Sequence, residues 1–145
     1  MKMKCRKNIR KLIAEYNAAS VAEKPNTTLI RLRNAIKALK STPSRISPAQ
    51  ASRYDDYAYI HKQSMAGHPN TDPGPHPAHK GPMFFPWHRE FLRQFELDLQ
   101  AVSGDSNLTL HYWNWTKDQS IADPGFPFID AFLGPDGSDG DNDKV

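Results

Sequence analysis

The sequence predicts a mainly α-helical domain with long proline-rich loops and little β structure. Three stretches carry apolar residues at intervals of three and four, which is the spacing of one helix face. The chain has twelve prolines, and six of them fall within residues 69–86, where they exclude a helix or a central strand. Its 145 residues correspond to the length of one ordinary domain.

The first predicted helix begins at Thr27 and Thr28, and Pro43 and Pro48 prevent it from continuing. Charged lysine and arginine side chains separate the members of its apolar stripe. The stripe consists of Leu29, Leu32, Ile36 and Leu39.

The second predicted helix begins at Ser47 and Pro48, a serine cap followed by a proline in the first turn, and runs to about Ala66. One face of it carries Tyr54, Tyr57, Ala58, His61 and Met65. The third begins near His88 and ends at Gly104. Its stripe consists of Phe91, Leu92, Phe95, Leu99 and Val102.

Positive charge is concentrated at the N-terminal end, where residues 1–40 have a balance of +9. Neither an aromatic platform for RNA nor a helix-turn-helix accompanies this charge, so we interpret it as solvated helix faces and expect no nucleic-acid partner. No apolar run approaches the roughly 20 residues of a membrane helix, and we expect no membrane partner. The first residues lack the apolar stretch of a secretory signal. We therefore expect a cytoplasmic protein, with export by a helper protein as the alternative.

Three histidines are the candidates for a metal site. His61 lies on the packing face of its helix, His79 lies in the proline-rich stretch, and His88 lies at a predicted helix start, where the helix dipole favours the neutral imidazole. Each of them alone has an ordinary structural explanation. Together, three neutral imidazoles suit copper or zinc, and the spacing does not decide between these metals.

The segment from His79 to Glu96 resembles the first copper-binding signature of the tyrosinase family. In that signature a histidine precedes a Phe-x-x-Trp-His-Arg core, which is followed by leucine and glutamate. These positions are held here by His79, Phe84, Trp87, His88, Arg89, Leu92 and Glu96. The helix around His61 and the residues 112–116 also resemble bacterial tyrosinases.

The resemblance implies that His61, His79 and His88 are the catalytic copper ligands of the first copper, CuA, with Phe84 as a wall of the pocket. His76 is the rival for the loop ligand, because His-Pro-Ala-His offers two imidazoles three residues apart. The signature leaves four residues between the ligand and the first phenylalanine, and this spacing fits His79.

The remaining histidines, His68 and His111, have no matching role in the family. We expect His68 to be exposed, and His111 to be a strand residue with a structural hydrogen bond.

The fold implied by the resemblance is the CuA half of an antiparallel four-helix bundle. Residues 1–145 then form a single CuA-containing portion of a tyrosinase-type domain. Within it we expect a basic N-terminal helical segment over about 1–45, a CuA core over 46–133, and an exposed acidic tail over 134–145 that offers a cleavage site.

The activity implied by the resemblance is oxidation of phenols, o-diphenols or o-aminophenols to quinones with O₂. That chemistry needs a second copper, CuB, with three further histidines, and only His111 follows His88 here. We therefore expect a C-terminal polypeptide or fragment that carries CuB, besides O₂ and a small phenolic substrate. The alternatives are a haemocyanin-like O₂-binding protein and a mononuclear copper or zinc protein.

Overall fold

A computed structural model describes residues 5–65, 78, 79 and 81–116 of the chain. Its four α-helices are α1 (Ile9–Ala18), α2 (Thr28–Lys40), α3 (Arg53–Met65) and α4 (Phe84–Ser103). A 3₁₀ turn, Lys24–Asn26, precedes α2. Within the described residues the β structure consists of one isolated parallel bridge, between Asn8 and Tyr112. The prediction of a mainly α fold is confirmed. His68, His76 and the predicted tail over 134–145 lie outside the described residues.

The chain divides into two compact units. Of the described residues, the first unit contains 5–37 and 107–116, and the second contains 38–65, 78, 79 and 81–106. No helix in the described part of the chain is both long enough and apolar enough to cross a membrane.

The first unit is built around an aliphatic core from α1, from α2 and from the segment that follows α4. Its buried apolar residues are Ile9, Leu12, Leu29, Ile30, Leu32, Ala35 and Leu108. Asn8 caps the start of α1, since its side-chain oxygen accepts a hydrogen bond from the backbone N–H of Arg10 at 2.8 Å.

Two polar links hold the first unit together. The Glu15 carboxylate on α1 accepts hydrogen bonds from the backbone N–H and the hydroxyl of Thr28, at 2.8 and 3.0 Å, and so fixes the start of α2. The N–H of Ile9 donates to the carbonyl of Tyr112 at 2.9 Å, and the N–H of Tyr112 donates to the carbonyl of Lys7 at 3.0 Å. These bonds join the segment before α1 to the segment over 107–112.

In the second unit, α3 and α4 pack against each other in antiparallel order. Tyr54 contacts Phe95, Tyr57 contacts both Phe95 and Phe91, and His61 contacts Phe91. As the residue number rises along α3 it falls along α4, which defines the antiparallel pairing. The contacts are edge-to-face or tilted ring pairs with centroids 4.9–6.1 Å apart, a favourable aromatic geometry.

Two predicted helix starts are wrong. The α3 helix begins at Arg53 and not at Pro48, because Ser52 caps it. The Ser52 hydroxyl accepts from the backbone N–H of Asp55 at 3.3 Å and donates to the Asp55 carboxylate at 2.6 Å. Ser47 instead caps a short turn by accepting from the N–H of Ala49 at 3.1 Å.

The α4 helix begins at Phe84, four residues before the predicted start. Pro86 lies in its first turn, where the missing N–H has no helical acceptor and proline costs little. The predicted end is confirmed, since Gly104 has φ 67°, the left-handed conformation that ends many helices.

Candidate metal centre

The structure brings His61, His79 and His88 together in the second unit. One ring nitrogen of each residue lies within 4.8 Å of the corresponding nitrogen of the other two. The ring centroids form a nearly equilateral triangle, with 5.2 Å between His61 and His79, 5.6 Å between His61 and His88, and 5.1 Å between His79 and His88. All three side chains are half-buried. Residues up to 27 positions apart in the chain thus meet at one point.

His61 reaches this point because of the register of α3 against α4. It lies one helical turn after Tyr57, whose ring packs on Phe91 with centroids 5.5 Å apart. At the next turn His61 itself contacts Trp87 and Phe91, at 5.8 Å each. Trp87 stacks on Phe91 at 4.9 Å. The rings therefore support His61 from one side.

A polar network secures the same register from the other end of the helix pair. The Tyr57 hydroxyl donates to the Asp98 carboxylate at 2.8 Å, and the Arg45 guanidinium pairs with that carboxylate at 2.9 Å. Burial and the neighbouring Asp98 raise the pKa of Tyr57, so the phenol stays protonated and remains a donor. Asp98 is itself buried, and its two partners satisfy a charge that would otherwise be costly there.

A hydrogen bond to the backbone orients the ring of His88. Its Nδ1 lies 2.8 Å from the backbone carbonyl oxygen of Phe84, four residues earlier in α4. Since a carbonyl can only accept, Nδ1 is the donor in this bond, and in a neutral imidazole Nε2 is then the nitrogen with a lone pair. A backbone carbonyl that orients a histidine in this way is a common support for metal ligands.

Phe84 lies against two of the three imidazoles. Its ring centroid is 4.4 Å from that of His88 and 5.8 Å from that of His79. The predicted wall residue therefore borders the group, although 39% of it remains exposed. In the loop, the fully buried Ala78 anchors the chain next to His79.

His111 is not part of this group. It lies in the first unit, directly before the isolated bridge residue Tyr112, so the prediction of a strand residue is wrong. Burial lowers the pKa of His111. The ring is therefore neutral near pH 7. Its predicted structural hydrogen bond stays a prediction.

Sequence reasoning missed Asp98 and Arg45. The available signal was a carboxylate on the apolar stripe of α4, where Asp98 lies three residues after Phe95 on the face that meets α3. A charged residue at such a position needs a partner. The partner Arg45 lies 53 residues earlier in the chain, and no local pattern indicates that pairing.

The donor set fits a late transition metal. Among the described residues the group consists of three imidazoles with no thiolate or carboxylate in it, and such a donor set suits copper and zinc. The hydrogen bond from His88 Nδ1 to the Phe84 carbonyl agrees with such a role, because it leaves Nε2 available as a ligand atom.

Three imidazoles of this α-helical chain meet, two from antiparallel helices and one from the loop between them. This arrangement is typical of a histidine-based metal-binding fold. Residues 51–145 match the family described as the common central domain of tyrosinase. The chain therefore belongs to the tyrosinase family.

Similar proteins are found among bacterial enzymes. The chain is 40% identical over 72 residues to tyrosinase from Streptomyces lincolnensis and 41% identical over 71 residues to tyrosinase from Streptomyces antibioticus. It is 37% identical over 89 residues to grixazone synthase from Streptomyces griseus. These matches cover 50%, 49% and 61% of this chain, but only 25%, 24% and 28% of the relatives. The chain thus matches about a quarter of the length of each relative.

Proposed function

We propose that this chain supplies the CuA half of a binuclear copper centre that oxidises phenols, o-diphenols or o-aminophenols to quinones with O₂. The observation that carries the proposal is the convergence of His61, His79 and His88, whose ring nitrogens lie within 4.8 Å of one another. Membership of the tyrosinase family supports copper as the metal.

The three histidines would hold the copper, which supplies electrons for the reduction of O₂ and accepts them from the phenolic substrate. The protein contributes a preorganised donor set. The Phe84 carbonyl keeps the proton of His88 on Nδ1, and the aromatic contacts of His61 with Trp87 and Phe91 hold its ring in place. The Phe84 ring shields one side of His79 and His88 from water.

The second copper site would come from another polypeptide segment. Seven large apolar side chains on α3 and α4 are exposed: Tyr59, Ile60, Met65, Phe84, Phe85, Leu92 and Leu97. Phe84 and Phe85 lie on the helical turn that leads to His88, with 39% and 80% of their surface exposed. An apolar surface beside an incomplete site is suited to packing against the segment that carries the CuB ligands.

Metal titration of the 145-residue chain tests the ligand set. We expect one Cu(I) per chain in competition with a chromogenic chelator under anaerobic conditions. His61→Ala, His79→Ala and His88→Ala should each weaken the affinity by more than the roughly 10–100-fold that follows loss of an outer-sphere partner. His111→Asn, in the other unit, is the matched control and should bind copper as the unchanged chain does.

His76→Ala tests the rival loop ligand in the same titration. If this variant loses the metal while His79→Ala keeps it, the assignment of the loop ligand is wrong. If none of the triad variants alters copper affinity, the proposed site is wrong altogether.

Purification from the native source tests the activity. We expect a second polypeptide segment with three further histidine ligands, two coppers per assembly and catalytic oxidation of catechol. Two coppers with reversible O₂ binding and no turnover would indicate the haemocyanin-like alternative. One metal per chain, no second segment and no catechol oxidation would indicate a mononuclear protein.

A further inference from the structure

One stripe of α4 combines exposed apolar side chains with a positive charge. Phe85, Arg89 and Leu92 follow one another at intervals of four and three residues, and all three are exposed. Since a helix turns by about 100° per residue, the stripe lies roughly 100–160° around α4 from Phe91, which contacts α3. His88 lies at roughly 60° from Phe91, between the two faces. A segment that covers the stripe therefore lies beside one of the three histidines.

The Arg89 side chain has no hydrogen bond and no ion pair within the part of the chain that the structure describes. The adjacent carboxylate of Glu90 is already bound by Arg93 and Gln94, at 2.6–2.8 Å. The positions three and four residues from Arg89, which are its neighbours on the helix surface, offer no acid. They hold Phe85, Pro86, Leu92 and Arg93. The neighbours along α4 therefore provide no counter-charge for this guanidinium.

Covering the stripe has opposite effects on its apolar and its charged side chains. Burial of Phe85 and Leu92 is favourable, because it removes apolar surface from water. Loss of water from Arg89 is costly unless an acceptor replaces it, since the guanidinium does not lose its charge in a protein. A carboxylate is the acceptor whose two oxygens match the planar N–H donors of arginine. A segment that binds this stripe favourably therefore brings both apolar side chains and a carboxylate.

We propose that the stripe is the contact surface of the CuB segment, and that this segment carries an aspartate or glutamate that pairs with Arg89. The inference rests on the function proposed above, in which such a segment completes the copper centre. Metals of a two-metal site lie about 3.5–4 Å apart, so the polypeptide that carries the second set of ligands has to run close to His88. The stripe lies next to that residue and offers both an apolar contact and a charge to be paired.

Association of the separated polypeptides tests the ion pair. The 145-residue chain and the second segment of the native assembly are purified, and calorimetric titration measures the dissociation constant of their complex. Arg89→Leu should raise this constant about tenfold or more, because the carboxylate of the segment loses its counter-charge. Arg89→Gln should have a similar effect and covers the case in which the leucine variant does not fold. Lys11→Leu, which removes an exposed charge from α1 in the first unit, is the matched control and should stay within about twofold of the unchanged chain.

The leucine variant separates an ion pair from a purely apolar contact. If the segment has no acid opposite Arg89, leucine adds apolar contact area and tightens the complex. Unchanged or tighter binding of Arg89→Leu would therefore overturn this proposal, while the proposed function would stand because a CuB segment still binds. Absence of any second segment in the native assembly would overturn both.

Reaction of Arg89 with phenylglyoxal, followed by mass spectrometry of the peptides, locates the contact. We expect Arg89 to react in the isolated chain and to be protected in the complex. Equal reaction in both states would place the segment elsewhere on the chain. Protection in the isolated chain would mean that a second copy, or residues 117–145 of the same chain, occupies the stripe, and sedimentation velocity would distinguish these two. Either of the last two results would overturn the proposal.

Discussion

The helices of the two units are stabilised by different chemistry. In the first unit, α1 and the part of α2 up to Lys37 bury aliphatic side chains almost completely, with Ile9, Leu12, Leu29 and Leu32 at 0–1% exposure. In the second unit, α3 and α4 meet through half-buried aromatic rings and bury two carboxylates, Asp56 and Asp98. The second unit also buries Leu39 and Leu99, so the difference lies in the aromatic rings and carboxylates that it adds to an aliphatic core.

The two units also differ in what their helices leave exposed. None of the large apolar side chains on α1 and α2 is exposed, whereas seven on α3 and α4 are. Each 100 Å² of apolar surface kept in water forgoes about 2.5 kcal/mol of burial free energy. A unit with that much unused apolar surface gains stability when another segment covers it, which agrees with the proposed arrival of a CuB segment.

The largest effect should come from a leucine in the first unit. Leu32→Ala removes a side chain that is 0% exposed and should lower the free energy of unfolding by about 2–5 kcal/mol, because it leaves a cavity in the core. Leu92→Ala, the same change at a residue 41% exposed on α4, should cost less than about 1 kcal/mol. Urea denaturation followed by circular dichroism measures both. Equal losses would show that the contrast between the units is wrong.

A smaller effect should come from the polar network of the second unit. Asp98→Ala removes the acceptor of both Tyr57 and Arg45, and should cost about 2 kcal/mol of unfolding free energy, a value typical of hydrogen bonds to a charged group. Tyr57→Phe removes only one bond and should cost about 1 kcal/mol. Asp98→Asn keeps the volume and one acceptor oxygen and should fall between the unchanged chain and Asp98→Ala.

Copper affinity shows whether the network also positions the ligand. Asp98→Ala should weaken Cu(I) binding, since a looser register between α3 and α4 misplaces His61 relative to His88. If Asp98→Ala costs less than about 0.5 kcal/mol and leaves copper affinity unchanged, the network has no role in either property.

The sequence was sufficient to predict those helix bounds that local patterns determine. The stripe from Leu29 to Leu39 predicted α2, and Gly104 predicted the end of α4, because spacing and a left-handed cap act within a few residues. The start of α3 was misplaced because Ser47-Pro48 and Ser52 with Asp55 offer competing caps close together in the sequence. The observed helix begins after the Ser52 cap.

The three histidines that meet could be predicted from the sequence, whereas the contacts that position them could not. The signature identified His79 and His88, the packing face of the preceding helix and its resemblance identified His61, and the structure brings these three histidines together. The pairing of Tyr57 with Asp98 spans 41 residues and depends on the register of two helices, which no local pattern supplies.

The smallest effect should come from the carboxylate that joins α1 to α2. Partial burial alone would raise the pKa of Glu15, but the backbone and hydroxyl hydrogen bonds from Thr28 and the nearby Lys7 outweigh burial and lower it. Because the pKa is lower in the folded state, the link stabilises the first unit above the ordinary pKa of 4.5 and is lost as the pH falls through the folded value. Protonation of Glu15 should lower the free energy of unfolding by less than about 1 kcal/mol, since the carboxylate is partly exposed and screened.

The amide of Thr28 reports this titration directly, because it donates to the Glu15 carboxylate. In a ¹H–¹⁵N NMR titration, we expect its chemical shift to change with a midpoint below 4.5. Glu15→Gln should remove that transition, and Glu90→Gln, on α4 of the second unit, should leave it in place. A midpoint at or above 4.5 would mean that burial outweighs the hydrogen bonds, and the ionised Glu15 would then not stabilise the first unit.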